Sequence, residues 1–266
     1  MSGKKAHVSL RFDKVLTYCG KPVAMWPIWC GRLRKNVLQK YDSATMSRLE
    51  IVLHPHPALR WKSKEISKID ADLRTMVEQM FELMYEARGI GLAANQVGLP
   101  YRLFVINPTG DREEKDQEFV FINPQITKKK GSETDEEGCL SLPEIYGPVT
   151  RATKIVVDAF DLDGQQFELE LEDLPARVVQ HEYDHVEGVM FTDRVPANAW
   201  QKLQPLIEDL ETQFRNRQKE GLVASDDSLR ARLLELQKVR TAQVVQLNWK
   251  SKSLNRWRSI PASSQL

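Results

Sequence analysis

Residues 180–188 read Gln180-His181-Glu182-Tyr183-Asp184-His185-Val186-Glu187-Gly188. On a helix, His181 and His185 stand four positions apart, project from one face and can hold one metal ion between them. Glu182 lies about 100° further round, at about 3.6 residues per turn. From there its carboxylate reaches a water on the metal without being a ligand itself. Two neutral nitrogen donors, one base and one activated water are what metal-assisted hydrolysis needs. A surface helix that carries HExxH by chance is the alternative, and the motif alone does not exclude it. Asp184 or a neighbouring acid is expected to orient one imidazole.

Immediately before this helix, expected over 173–187, come runs rich in Val, Ile and Phe: Tyr101–Asn107, Glu118–Asn123, Ile126–Lys130, Lys154–Phe160 and Phe167–Leu171. Asn-Pro, Asp-Gly and Pro punctuate them, and Asp161 to Gly164 reads as the hairpin joining the last two. Strands in succession without intervening helices predict an antiparallel or mixed sheet, hence an α+β fold. Between strands lies Glu136-Glu-Gly-Cys-Leu-Ser-Leu-Pro143. A nucleophilic cysteine prefers cationic neighbours, so the two acids before Cys139 speak against a free thiolate. A metal would deprotonate the thiol outright. Cys139 with two histidines gives three protein ligands and leaves the fourth position for water, as in catalytic rather than structural sites.

Further upstream, Ile69, Leu73, Met76, Val77, Met80, Phe81 and Met84 repeat at three and four and predict a helix over 69–87, with Asp70 or Asp72 in its first turn and Gly89 ending it. Next comes Gly89-Ile-Gly-Leu-Ala-Ala-Asn-Gln-Val-Gly98. It lacks the spacing and the lysine of a phosphate loop. Gln96 offers both an acceptor and a donor; beside a metal it would be an oxyanion donor, and otherwise it satisfies loop backbone. Arg48 to Leu53 reads as a short strand or extended arm. His54-Pro-His-Pro57 forces a loop, in which His54 and His56 are read as ordinary loop histidines rather than ligands. Downstream, helices are expected over 196–217 and 228–247, with a break at 221–227.

Charge divides the chain. Residues 1–45 hold nine Lys/Arg against two Asp/Glu, residues 221–266 eight against three, and the middle 21 against 32. Basic ends on an acidic body suit a polyanionic surface such as nucleic acid, or are solvated tails. Three cysteines, Cys19, Cys30 and Cys139, make no disulfide framework and point to a reducing compartment, so a cytoplasmic location is expected. No apolar run spans a bilayer, and residues 1–45 lack a secretory signal. An organellar transit peptide in 1–45, or an upstream extension before a start at Met46, are the two alternatives for that segment.

Three stretches in this order, Gly89 to Gln96, Glu137 to Ser141 and Gln180 to His185, resemble the signature motifs of peptide deformylases. The resemblance covers about residues 46–217, including His54 to Arg60. It divides the chain into a basic N-terminal extension (1–45), a catalytic domain (46–217) and a basic helical C-terminal tail (218–266). It implies mixed or antiparallel sheets packed around a central HExxH helix, with a helical C-terminal extension. It also implies removal of the N-formyl group from formylmethionyl nascent polypeptides with release of formate, by a monomer that uses Fe2+, or Zn2+ or Ni2+ as substitutes. Ligand softness alone would allow zinc as well as iron. By the same resemblance, Cys139, His181 and His185 hold the metal, Glu182 is the base, and Gln96 and the Leu140 backbone N–H hold the oxyanion. Substrate backbone would pair with Ile90, Gly91 and Gly138, and Leu174 and Val178 would line the pocket for the first side chain. Asn95 stands where the family often has Pro or Thr and is expected not to affect the chemistry. Tyr146 stands where some members carry a substrate-contacting Arg. The basic tail is expected to dock on the ribosome. The rival reading is a zincin-type peptidase, which cuts internal peptide bonds and takes its third ligand from a downstream acid or histidine.

Overall fold

The computed structural model describes residues 7–10 and 48–241. By its contacts the chain divides into two units, Met1–Leu10 with Leu49–Leu266, and Arg11–Arg48. In chain order the elements of the first unit are β1 (His7–Leu10), α1 (Ala71–Glu86), β2 (Gly91–Ala93), β3 (Leu103–Ile106), β4 (Phe119–Lys130), β5 (Glu133–Cys139) and β6 (Leu142–Arg151). After them come β7 (Lys154–Phe160), β8 (Gln166–Glu172), α2 (Asp173–Val186), α3 (Ala197–Lys219) and α4 (Asp226–Thr241). Six strands form a mixed sheet in the order β1-β8-β7-β4-β3-β2, while β5 and β6 form a separate two-stranded ribbon. Only the β1–β8 pair is parallel among the described strands. The fold is the expected α+β.

The layering is set by β3. Leu103 and Val105 pack with Leu73, Val77, Met80 and Met84 of α1. Phe104 and Ile106 point the other way and pack with Ala176, Val179 and Val186 of α2. A strand covered on both faces reads as a continuous apolar run, as Leu-Phe-Val-Ile does. The sheet therefore lies between α1 and α2, and α2 has its other face left for the ribbon. A third cluster joins Leu142, Ile145 and Val149 of the ribbon to Phe191 and to Leu203 and Ile207 of α3.

Several local expectations change. Helix α1 is capped by the Asp70 carboxylate, which accepts from the Leu73 N–H. Its end is set by Arg88, at φ 57°, not by Gly89. The Gly89 N–H reaches the Met84 carbonyl and the Arg88 N–H that of Tyr85, the paired bonds of a Schellman ending, with arginine in the left-handed position that glycine usually takes. Asn123-Pro124 does not separate two strands. β4 runs through it as a bulge, with register shifts around Gln125, and the Asn123 side chain bonds both the N–H and the carbonyl of Ile66. Residues 48–53 form an arm rather than a strand: Val52 N–H donates to the Gln96 carbonyl and His54 N–H to that of Ser141. Helix α2 ends where expected, at Gly188 with φ 76°. A Cβ there would sit 2.8 Å from the Arg60 carbonyl oxygen.

Helix α4 docks on the body. Leu233 is buried, the Leu236 carbonyl accepts from Tyr101 Oη at 3.0 Å, and Gln237 Oε1 accepts from Trp61 Nε1 at 3.1 Å. Arg240 donates to the Asp70 cap of α1 at 2.7 Å, and its carbonyl takes the Ser67 hydroxyl at 2.6 Å. The rest of the helix expected over 228–247, together with Trp249, Trp257, Cys19, Cys30 and nearly all of 1–45, lies outside the described residues.

Candidate metal centre

Helix α2 presents His181 and His185 to the ribbon, and the ribbon brings Cys139 to them. Cys139 Sγ lies 3.2 Å from His185 Nε2, which lies 3.2 Å from His181 Nε2. All three donor atoms fall within 4.8 Å of one another, and theirs is the only such cluster of three among the described residues. Donors at about 2.3 Å (S) and 2.0–2.1 Å (N) from one tetrahedral ion stand roughly 3.3–3.6 Å apart. The donor set therefore fits a single divalent cation. Among the described residues no downstream Glu, Asp or His joins it, and the site has the wrong ligands for a zincin.

His181 is oriented for this role. Its Nδ1 donates to Glu137 Oε2 at 3.0 Å, which fixes the tautomer and leaves Nε2 as the donor to a metal. The orienting acid is thus Glu137, not Asp184. Glu137 is 6 % exposed and also accepts from Arg151 Nε at 2.9 Å, Arg151 Nη2 at 2.8 Å and Arg177 Nη1 at 2.8 Å. Burial alone would raise its pKa, but the Arg151 and His181 hydrogen bonds outweigh this and hold it far below the usual carboxylate range. Asp184 instead pairs with Arg151 and with Arg194, at 2.5 Å. Burial opposes a charged imidazole at His181, yet the Cys139 and Glu137 hydrogen bonds raise its pKa to about 10 without a cation. Metal binding must displace that proton, so affinity rises with pH. His185 is held neutral, mainly by burial, and its buried Nδ1 has no hydrogen-bond partner.

Glu182 is 4 % exposed, with Oε2 unpartnered. Burial lifts its pKa to about 7, against the pull of His181 and Arg151. A carboxyl poised near neutrality suits a base. Gly91 makes room for it: a Cβ there would lie 2.5 Å from Glu182 Oε1 and 2.9 Å from Cδ.

Gln96 satisfies loop backbone with one end and turns its amide to the site with the other. Its Oε1 accepts from the Ala93 N–H at 2.8 Å, so the amide end faces the site and Nε2 stands 3.4 Å from Cys139 Sγ. Leu140 opens the two-residue turn between β5 and β6, next to Cys139. Gly91 lies in β2, an edge strand of the sheet. The Ile90 carbonyl is already taken by the Asn107 N–H. Gly138 lies under the Tyr146 ring, whose Cε1 would be 2.6 Å from a Cβ placed there. Tyr146 is 60 % and Leu174 43 % exposed, whereas Val178 is buried against the sheet. His54 and His56 stay away from the centre: His54 Nε2 meets Glu211 at 2.9 Å and His56 Nδ1 accepts from the Ala58 N–H.

The sequence profile described as polypeptide deformylase matches residues 48–201. A peptide deformylase of Rhodopirellula baltica is 44 % identical over 68 % of this chain and 90 % of its own. Peptide deformylase 1B of Arabidopsis thaliana, named chloroplastic/mitochondrial, is 43 % identical over 70 % of this chain and 68 % of its own. A crystal structure of plant peptide deformylase PDF1B superposes with a TM-score of 0.63 at 42 % identity, covering 68 % of this chain and 97 % of that one. A Plasmodium falciparum peptide deformylase superposes with 0.61 at 34 % identity, over 63 % and 98 %. With its three donor atoms converged and a match over more than half its length, the chain belongs to the polypeptide deformylase family.

Proposed function

We propose that the chain hydrolyses the formyl amide of N-formylmethionyl nascent peptides, releasing formate, with Cys139, His181 and His185 as metal ligands. The observation that carries this is the meeting of one thiol and two imidazoles beside a buried, unpartnered carboxylate. When bound, the metal supplies a Lewis acid that makes a water deprotonate near neutral pH. Glu182 takes the proton and delivers it to the leaving amine. Gln96 Nε2 and the Leu140 N–H receive the charge that builds on the formyl oxygen. The free edge of β2 at Gly91 and the ribbon at Gly138 support a peptide lying strand-like between them, with Ile90 offering the neighbouring backbone. The first side chain, methionine, would rest against exposed Leu174, with Val178 behind it. Fe2+ is our reading of the native metal, with Zn2+ or Ni2+ as substitutes; an N/N/S set accepts all three.

The deciding assay is formate release from formyl-Met-Ala-Ser, run anaerobically with and without chelator. We expect release that chelation abolishes, and no cleavage of the unformylated peptide. Internal cleavage without formate would overturn the proposal. Gln96→Ala should lower kcat/KM about 10²–10³-fold; near-full activity refutes its oxyanion role. Gly91→Ala should melt close to wild type yet lose about 10²-fold in kcat, because the added methyl displaces the Glu182 carboxylate. An unchanged kcat would mean that the carboxylate need not sit there.

We also propose the division into 1–45, 46–217 and 218–266, and a monomer. Ribosome docking we assign to residues beyond Thr241, because α4 is committed to the body. Salt-sensitive co-sedimentation with ribosomes should be lost when the chain is cut after Thr241; equal binding by the cut chain ends the idea. No described helix is long and apolar enough to cross a membrane. A cytoplasmic location rests on cysteine usage, and the organellar names of the plant relatives make targeting by residues 1–45 the specific alternative.

A further inference from the structure

The two imidazoles at the metal centre are supported differently. His181 has a carboxylate on its second nitrogen. His185 has none: its Nδ1 is buried and unpartnered. What holds His185 is its main chain. Asn95, fully buried, donates its Nδ2 to the His185 carbonyl. That carbonyl lies in the last turn of α2, where helical carbonyls lose their i+4 partners, and its other donors are the N–H groups of Glu187 and Gly188 in the closing turn. Asn95 is also the immediate neighbour of Gln96, whose amide faces the Cys139 sulfur. One side chain therefore ties the loop carrying the oxyanion donor to the turn carrying a metal ligand, across 90 positions of sequence.

We propose that Asn95 is a positioning residue: it sets the His185 ring, and with it the spacing between the ligand and the Gln96 amide. The proposal departs from the expectation that residue 95 leaves the chemistry untouched. The inference rests on reading Cys139, His181 and His185 as ligands. It does not need the deformylation reading. Lost orienting contacts of this kind typically weaken metal binding about 10–100-fold. Asn95→Leu keeps the branching, with bulkier methyl groups, and removes the donor. Asn95→Asp keeps the shape and sets a carboxylate against the carbonyl.

The experiment measures Co2+ affinity by chelator competition and records the d–d spectrum, with the melting temperature of each metal-free protein beside it. The expected result is wild-type binding of one Co2+ per chain, and about 10–100-fold weaker binding with an altered d–d envelope in both variants, whatever the change in metal-free melting. Wild-type affinity and spectrum in a variant with lowered metal-free melting would make Asn95 a plain structural anchor and overturn the proposal. If wild type binds no Co2+, the ligand reading itself fails, a separate outcome. Should neither variant fold, amide exchange in the wild-type protein decides. One Asn95 Nδ2 proton should be strongly protected and should shift on metal loading, and free exchange with no shift overturns the proposal.

Discussion

Glu182→Gln is expected to retain one metal ion per chain and to lose about 10²–10⁴-fold in kcat. Glutamine matches the carboxylate in shape, so it keeps the tight packing against Gly91 and removes only the ability to take a proton. Metal retention is expected because Glu182 is not among the three converging donors. The pH profile carries the same message. The base must be ionised, so activity should fall as pH drops through the Glu182 pKa. Burial pushes that pKa up to about 7, and a cation among the three donors pulls it back down. The acidic limb of kcat/KM should therefore lie at or below about pH 7 and vanish from the residual activity of Glu182→Gln. Normal turnover by the variant would remove the base assignment.

Arg151→Met is expected to cost up to about 3–5 kcal/mol of stability at neutral pH, the usual consequence of removing one partner from a buried charge network. The Arg151 side chain is 3 % exposed and bridges Glu137 and Asp184, while its Nη1 also reaches the Gln180 carbonyl at 3.3 Å. Methionine preserves the stem but leaves Glu137 only Arg177 and His181, and Asp184 only Arg194. The pH dependence has a definite sign. The folded-state pKa of Glu137 is depressed from 4.5. Its contribution is therefore complete above the unfolded value and is lost as pH falls below about 4.5. Thermal melts should show a constant gap between variant and wild type from pH 7 to about pH 5, narrowing as pH falls below about 4.5. A gap that is small throughout would mean that the network adds little beyond what its desolvation costs.

The parts of the fold that sequence reveals are those where a single face carries the information. The 3.6-residue stripe of α1 is visible because one side of it meets the sheet, and β3 is visible because both of its faces are covered. The ribbon is hidden for the opposite reason. Glu133–Cys139 exposes all its acids but Glu137, its partner is interrupted by Pro143, Gly147 and Pro148, and the few branched residues, Thr134, Ile145, Val149 and Thr150, make no continuous run that marks a strand. The same silence hides the orienting acid. Once 133–139 is a strand, Glu137 and Cys139 share a face by the two-residue period, and both must then point at the histidine helix. β2 is three residues of Gly-Leu-Ala and has no local signature. The candidate metal ligands are legible because their spacing is chemical. The support that Asn95 gives to His185 is not, because a side chain bonded to a distant main-chain carbonyl leaves no pattern in sequence.

At the centre stands one claim: sulfur from the ribbon and two nitrogens from α2 share one ion. X-ray absorption at the metal edge, on protein loaded with one equivalent of Co2+, tests it directly. A first shell with one sulfur and two imidazole nitrogens, and loss of the sulfur with weakened binding in Cys139→Ser, is the predicted result. A shell of nitrogen and oxygen only in the wild-type protein, unchanged by that substitution, would contradict it.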